Sequence, residues 1–343
     1  MKNNAKNLLL VFFMFAAIHG SLFSIEKIIY ITTGSIGKLF SESGTSMDTW
    51  DRIARAFALK GYTFKQTFTL DGLKNFEYLI VNDVPIKELD KLKQYDPKKL
   101  VLLLWEPPCV KPYNYEPQNH SYFSKVLTWN DDFVDQQKYY KSYYPQYSLA
   151  MLEHLAEFSQ KKLCTMVAGL LPSQHPNELY SKRKELVEFF ETAPAGDFEF
   201  YGNRGWKTPY KNYKGTIGMD RKGTDRILAK IEVLNGYKFC ICYENQKEIN
   251  GYVTEKILHC FRAGCVPVYW GAKNIERYVP RNCFISREDF KSNAHLYDYL
   301  KNMPQAVHQE YIDNIRFFME SPQAHLFSVS NLIATLFHML NIK

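Results

Sequence analysis

At 343 residues the chain is too long for one small core and fits two domains of ordinary size. Hydrophobic residues at 46% and charged residues at 23% are normal for a globular protein and exclude disorder throughout. The net charge of +7 is mild and dispersed, which suits an anionic substrate or a membrane surface; with no arginine-rich block, no nucleic-acid partner is expected.

The chain opens with Lys2 and Lys6 ahead of an apolar run, Leu8–Ile18, and His19-Gly20-Ser21 after it. That is the layout of a secretory signal with small residues at a cleavage point. Extended to Phe23 the run is still short for a membrane span. Residues 1–24 therefore fit a signal peptide or a short signal-anchor, outside the fold. From Ile25 the pattern alternates between strand and helix. Lys27–Thr33 reads as a strand. Met47–Lys60 reads as an amphipathic helix with Trp50, Ile53, Ala54 and Phe57 on one face, stopped by Gly61. Glu77–Asn82, Lys99–Trp105 and Lys125–Trp129 are further apolar strands. Such alternation predicts an α/β domain over residues 25–150, built on a parallel sheet covered on both faces.

Tyr139–Gln160 reads as the bridge to a second unit, residues 160–320. There Leu163–Ala168 reads as a strand, Asn177–Glu191 as a helix, Phe198–Tyr201 as a strand and Thr224–Asn235 as a helix. In the tail, residues 321–343, Leu326, Val329, Ile333, Leu336 and Leu340 alternate three- and four-residue steps, which predicts a helix docking onto the protein. The seven cysteines show neither C-x-x-C nor zinc spacing. Buried thiols are the expectation, and a disulfide stays open. Most of the 24 tyrosines are expected to fill cores, although a ring carrying a hydroxyl also suits sugars. Asn119-His120-Ser121 is a glycosylation acceptor sequence, meaningful if the chain is exported in a eukaryote.

The most informative stretch is Tyr237–Gly271, YKFCICYENQKEINGYVTEKILHCFRAGCVPVYWG. Two apolar strands, Lys238–Tyr243 and Val266–Trp270, flank a polar turn and a short helix. Thr254 is a good N-cap, so Glu255 and Lys256 fall in the first helical turn, where free backbone N–H groups and the dipole attract anions. Strand, loop and a helix N-terminus bearing a cation together predict a diphosphate seat. In the first domain, Glu106 ends an apolar strand and is followed by Pro107-Pro108, which fix a turn. It is either a carboxylate at the mouth of the sheet, where ligands bind, or a solvated strand-end glutamate.

YENQ…GYVTEKI…GCVPVYWG closely resembles the signature of the α1,3/α1,4-fucosyltransferase family, which transfers fucose from GDP-fucose. The likeness is dense there and continues more thinly from about Lys99 to Phe290. It implies the GT-B architecture, two Rossmann-like domains facing across a cleft. It also implies an inverting transfer of fucose to a hydroxyl of an N-acetylglucosamine-containing glycan, α1,3 foremost. WEPP resembles the site of the family's base, which implies that Glu106 deprotonates the acceptor. Arg183 in SKRKELVEFF matches the family's phosphate-binding arginine, against the plainer reading of Lys182-Arg183-Lys184 as a wet helix face. Lys256 is implied at the diphosphate, and Asn245, Tyr252 and Glu255 at donor hydroxyls; Glu244, beside Asn245, is the less certain of that pair. Asn245 as a turn former, Tyr252 as a packing residue and Glu255 as a dipole partner are the plainer readings.

No Asp-x-Asp occurs, so no metal and no cofactor are expected beyond GDP-fucose as donor substrate. P-loop, G-x-G-x-x-G and His-Glu-x-x-His are absent too. The expected partners are GDP-fucose, a glycan acceptor and a membrane through the N-terminal segment. Location in a Golgi-type lumen follows for a eukaryote; in a bacterium an anchored cytosolic enzyme is the better expectation. The chain departs from the family in lacking the C-terminal C-x-x-C of animal members, and residues 25–95 match weakly, so the acceptor is not legible. Two other readings stand beside this one: a sugar- or nucleotide-binding protein of the same fold without turnover, and an enzyme using another nucleotide sugar.

Overall fold

Lys27–Thr32 (β1) turns Ile29 and Ile31 into the core, and Thr49–Ala58 (α1) lays Ile53 and Phe57 over them. The structure, a computed structural model, describes residues 26–32, 49–202, 205–206, 209–217 and 225–343. The predicted N-terminal segment 1–24 lies outside the described residues. Tyr62–Thr67 (β2), Phe76–Asn82 (β3), Leu100–Leu104 (β4), Lys125–Thr128 (β5) and Tyr139–Lys141 (β6) complete a parallel sheet of order β2-β1-β3-β4-β5-β6. Every residue of β4 is buried, as a parallel strand covered on both faces requires.

A second parallel sheet, of order β11-β10-β9-β7-β8, is built from Lys162–Val167 (β7), Phe198–Tyr201 (β8), Tyr237–Tyr243 (β9), Val266–Trp270 (β10) and Ile285–Ser286 (β11). Tyr180–Phe190 (α2), Arg226–Asn235 (α3), Glu255–Arg262 (α4), Asn293–Lys301 (α5) and Gln305–Met319 (α6) accompany it. In both sheets the strand order reverses once, between β1 and β3 and between β7 and β9. At such a reversal the connections leave in opposite directions and open a crevice at the carboxyl ends of the strands.

After the short helix Pro322–His325 (α7), Val329–Leu340 (α8) returns to the first lobe. There Val329, Leu332, Leu336, Met339 and Leu340 share one core with Ile29, Ile53, Val101 and Leu127. The predicted docking helix is present, but Leu326 lies outside it: the chain breaks there and Ser328 caps the new helix. Other details also differ from expectation. Tyr139–Gln160 is not all bridge, because its first residues pair with β5. The links before and after β4 carry short 3-10 helices rather than full α-helices. The helix foreseen at Thr224–Asn235 starts at Arg226, capped by Asp225, and Thr224 itself is outside the described residues. All seven cysteines are free thiols, and six are buried. Among the described residues no helix is long and apolar enough to cross a membrane.

Candidate active site

The helix α4 is locked to the end of β9 by one buried carboxylate. Glu244, fully buried, takes the Thr254 backbone N–H at 2.8 Å and the Thr254 hydroxyl at 2.7 Å, while Lys256 Nζ donates to it at 2.9 Å. Lys256 also donates to Thr254 Oγ1 at 3.1 Å. Thr254 caps the helix as predicted. Lys256 remains slightly exposed, its charge held by Glu244 and Glu255 against the cost of burial. At the adjacent Glu255, burial alone would raise the carboxyl, but Lys256 and Lys230 outweigh it and hold the pKa at about 2. Glu255 is thus an ionised acceptor beside the helix N-terminus.

Arg183 sits where β7 and β9 part. It is 1% exposed, whereas Lys182 and Lys184 pair with Glu185 and Glu188 on the wet face of α2. Its guanidinium donates to the carbonyls of Gly169 (3.0 Å), Tyr243 (2.7 Å) and Glu244 (2.8 Å) and to Asn245 Oδ1 (3.0 Å), over the ring of Tyr180. Nε alone has no partner. The fork is committed to the protein, so Arg183 brings the site a positive charge rather than an open bidentate clamp. Asn245 is half-buried and oriented by that arginine.

Across the crevice, Glu106 follows β4. Its N–H donates to Asp83 Oδ1 at 3.2 Å, and its carbonyl accepts from Tyr115 OH at 3.1 Å. Burial pushes its carboxyl up, the Asp83 charge adds to this, and Lys256 and Lys111 oppose it. Glu106 and Lys256, from different sheets, are therefore within electrostatic reach of each other. The loop after Pro107-Pro108 makes the join. Cys109 N–H donates to Gln246 Oε1 at 2.9 Å, and the thiol meets the Asn245 carbonyl at 3.4 Å. Buried Tyr252 packs at a tilt against Trp129, with ring centroids 4.6 Å apart, and lies against Tyr144, so it packs between the sheets. At Gly251, with φ +81°, a Cβ would stand 2.3 Å from the Trp129 carbonyl oxygen, so only glycine allows the approach. Alongside, Lys141 Nζ donates to Asp131 at 2.7 Å and to Tyr278 OH at 2.8 Å, while Asn274 holds Asp131 at 2.8 Å.

The six residues expected from the sequence, Glu106, Arg183, Asn245, Tyr252, Glu255 and Lys256, gather about the join of the two lobes, with Arg183 and Tyr252 buried in it. Sequence reasoning understated Glu244, whose charge is invisible as an anchor until its burial is known, and did not single out Asp83, although it too is a carboxylate ending an apolar strand. One expectation is overturned. Asn119 is buried and its amide donates to Tyr113 O (3.0 Å) and Glu116 (3.2 Å), so the acceptor sequence is not presented. Among the described residues no three His, Cys, Asp or Glu side chains gather as a metal site.

Two facing parallel-sheet lobes with the crevice between them define the GT-B fold. Solved structures share it: an α1,3-fucosyltransferase at TM-score 0.54, 15% identical, with 94% of this chain and 92% of that chain covered, and a DNA-modifying β-glucosyltransferase at TM-score 0.55, 13% identical, with 92% and 99% covered. At these identities the likeness is one of fold. Within the fold, residues 206–319 match the model of glycosyltransferase family 10 (fucosyltransferase), C-terminal part, so the resemblance carried by the signature is to that family. Curated relatives include the α-(1,3)-fucosyltransferase FucT of Helicobacter pylori, 38% identical over 88 residues, 26% of this chain and 17% of that one. The α-(1,3)-fucosyltransferase 4 of Mus musculus is 38% identical over 99 residues, 26% and 23% respectively. The matched stretches span about a fifth of these relatives' length.

Proposed function

We propose that this protein is an inverting glycosyltransferase that moves fucose from GDP-fucose to a hydroxyl of an N-acetylglucosamine-containing glycan, with α1,3 linkage. The observation that carries the proposal is the meeting of the two lobes here: the loop after Glu106 is bonded through Cys109 to Gln246 and Asn245 ahead of α4, and the Lys256 charge acts on the Glu106 carboxyl. A base and a cation held opposite each other fit a single displacement. Glu106 takes the proton of the acceptor hydroxyl as its oxygen bonds to the anomeric carbon. The bond from that carbon to the phosphate oxygen breaks, and GDP leaves with its growing charge met by Lys256, the free N–H groups of α4 and the Arg183 charge. Glu255, Asn245 and the neighbourhood of Tyr252 take donor hydroxyls. Support for fucose comes from the family match and the named relatives. From the charge and apolar pattern of the sequence alone, we also propose that residues 1–24 take the chain to a membrane or through it.

The decisive experiment measures GDP release from GDP-fucose with an N-acetyllactosamine acceptor, with UDP-sugars and other GDP-sugars as controls. The wild type should turn over GDP-fucose, and Glu106→Gln should lose about 10²- to 10⁴-fold in kcat while still binding the donor. Binding without turnover by the wild type would leave a nucleotide-sugar-binding protein, and preference for a UDP-sugar would replace the donor. Full activity in a folded Glu106→Gln protein would remove the base.

A further inference from the structure

Asp83 lies where β3 ends beside β4, with its backbone N–H on the Leu103 carbonyl at 2.8 Å. It is 3% exposed and has φ +58°, a left-handed backbone that asparagine and aspartate tolerate best among non-glycine residues. One oxygen, Oδ1, accepts from the Trp105 N–H (2.9 Å), the Glu106 N–H (3.2 Å) and Asn114 Nδ2 (2.7 Å). The nearest cation, Lys111 Nζ, stands 3.7 Å from the other oxygen. An asparagine would offer the same oxygen to the same three donors without a buried charge; burial pushes the Asp83 carboxyl up, and the Trp105 N–H, Lys111, the Glu106 N–H and Asn114 offset this only in part. The hydrogen bonds explain the shape of the turn. They do not explain the charge.

We propose that Asp83 is the positioning residue of the base: its carboxylate fixes the Trp105–Glu106 turn and keeps a second negative charge beside the Glu106 carboxylate. The inference rests on reading Glu106 as the base. A neighbouring like charge makes a carboxylate hold its proton more tightly, and a more basic carboxylate is the better proton acceptor near neutral pH. The charged groups facing Glu106 are Asp83, Lys111 and, from α4, Lys256 and Glu255. The titratable groups also around it, Cys109, Tyr115, Tyr144, Tyr180 and Tyr252, are all pushed upward by burial and stay neutral through the working range.

The test is the pH dependence of kcat/KM for the acceptor in the full chain, with folding checked by melting and circular dichroism. Asp83→Asn keeps the backbone and the acceptor oxygen and removes the charge; its acid limb should move about one pH unit lower with donor KM unchanged. Asp83→Gly keeps the left-handed backbone and removes the cradle; kcat should fall about tenfold to a hundredfold, again with donor KM unchanged. Lys111→Ala should move the acid limb the other way, and it reads the same field if Asp83→Asn melts early. Acid limbs that superimpose on the wild type in both Asp83→Asn and Lys111→Ala overturn the proposal. An active Glu106→Gln protein is a separate result and removes the base itself.

Discussion

Lys256 has two calls on its charge, since Glu244 holds it before any phosphate arrives. A buried carboxylate at that place aims the ammonium along the start of α4, so the cation is set before the donor enters. Lys256→Ala is expected to raise donor KM and lower kcat together, because phosphate charge grows as the bond breaks. A lost hydrogen bond to a charged group is worth about 1.5–3 kcal/mol, or roughly 10- to 150-fold in kcat/KM for GDP-fucose. Steady-state kinetics with unchanged donor KM and kcat would contradict the assignment. Arg183 is different in kind: with its fork on four acceptors, its truncation should also loosen the join of β7 and β9.

At the scale of elements, the loop from β9 to α4 decides whether the two halves of the site meet. Its polar residues grip the first lobe through Gln246 and Cys109, and Gly251 lets its backbone come against Trp129. Gly251→Ala is expected to cost about 1–2 kcal/mol from the left-handed backbone alone, with the clash at Trp129 added. It should lower the melting temperature and depress transfer more than donor binding, because the donor residues stay on the second lobe while Glu106 is pushed away. Equal stability of the variant would show that the loop reaches the first lobe by another route. The cap and the cation were legible in GYVTEK, whereas the need for glycine at 251 came only with its positive φ and its approach to Trp129. The lock between cap and cation was not legible either, since Glu244 and Thr254 are ten residues apart and meet only when β9 and α4 are placed side by side.

At the scale of the molecule, the buried histidines His120, His259 and His308, each with its pKa lowered by burial, contribute to how the protein meets acid. His259 has neither ring nitrogen bonded, and burial, helped by Lys230, lowers its pKa to about 3. Burial likewise lowers His308 to about 4. For a histidine whose pKa is depressed in the fold, the unfolded chain binds the proton first. Stability is therefore full above about pH 6.5 and falls as pH drops toward 4 and 3, by about 1.4 kcal/mol per unit for each ring inside its window. Denaturant midpoints at pH 7 and pH 5 should show the fall, and His259→Leu should flatten it. A His259→Leu protein with the wild-type slope would show that other groups govern acid stability.

The sequence by itself determined the local events: apolar strands, the Thr254 cap, the turn that ends β4 at Glu106, and the cation in the first turn of α4. Each depends on neighbours a few residues away, and a proline, a glycine or a capping hydroxyl states its constraint in the chain. It left unread the edge strands β2, β6 and β11, whose short or polar runs become strands only because a neighbour supplies hydrogen bonds. Burial, and with it the ion chemistry of the site, came only with the tertiary structure. Arg183 amid a charged run, Glu244 beside Asn245 and Asp83 after β3 look alike as solvated residues until packing removes the water. A charge then keeps its partners or shifts its proton, because the strength of each interaction depends on how much solvent the fold has excluded.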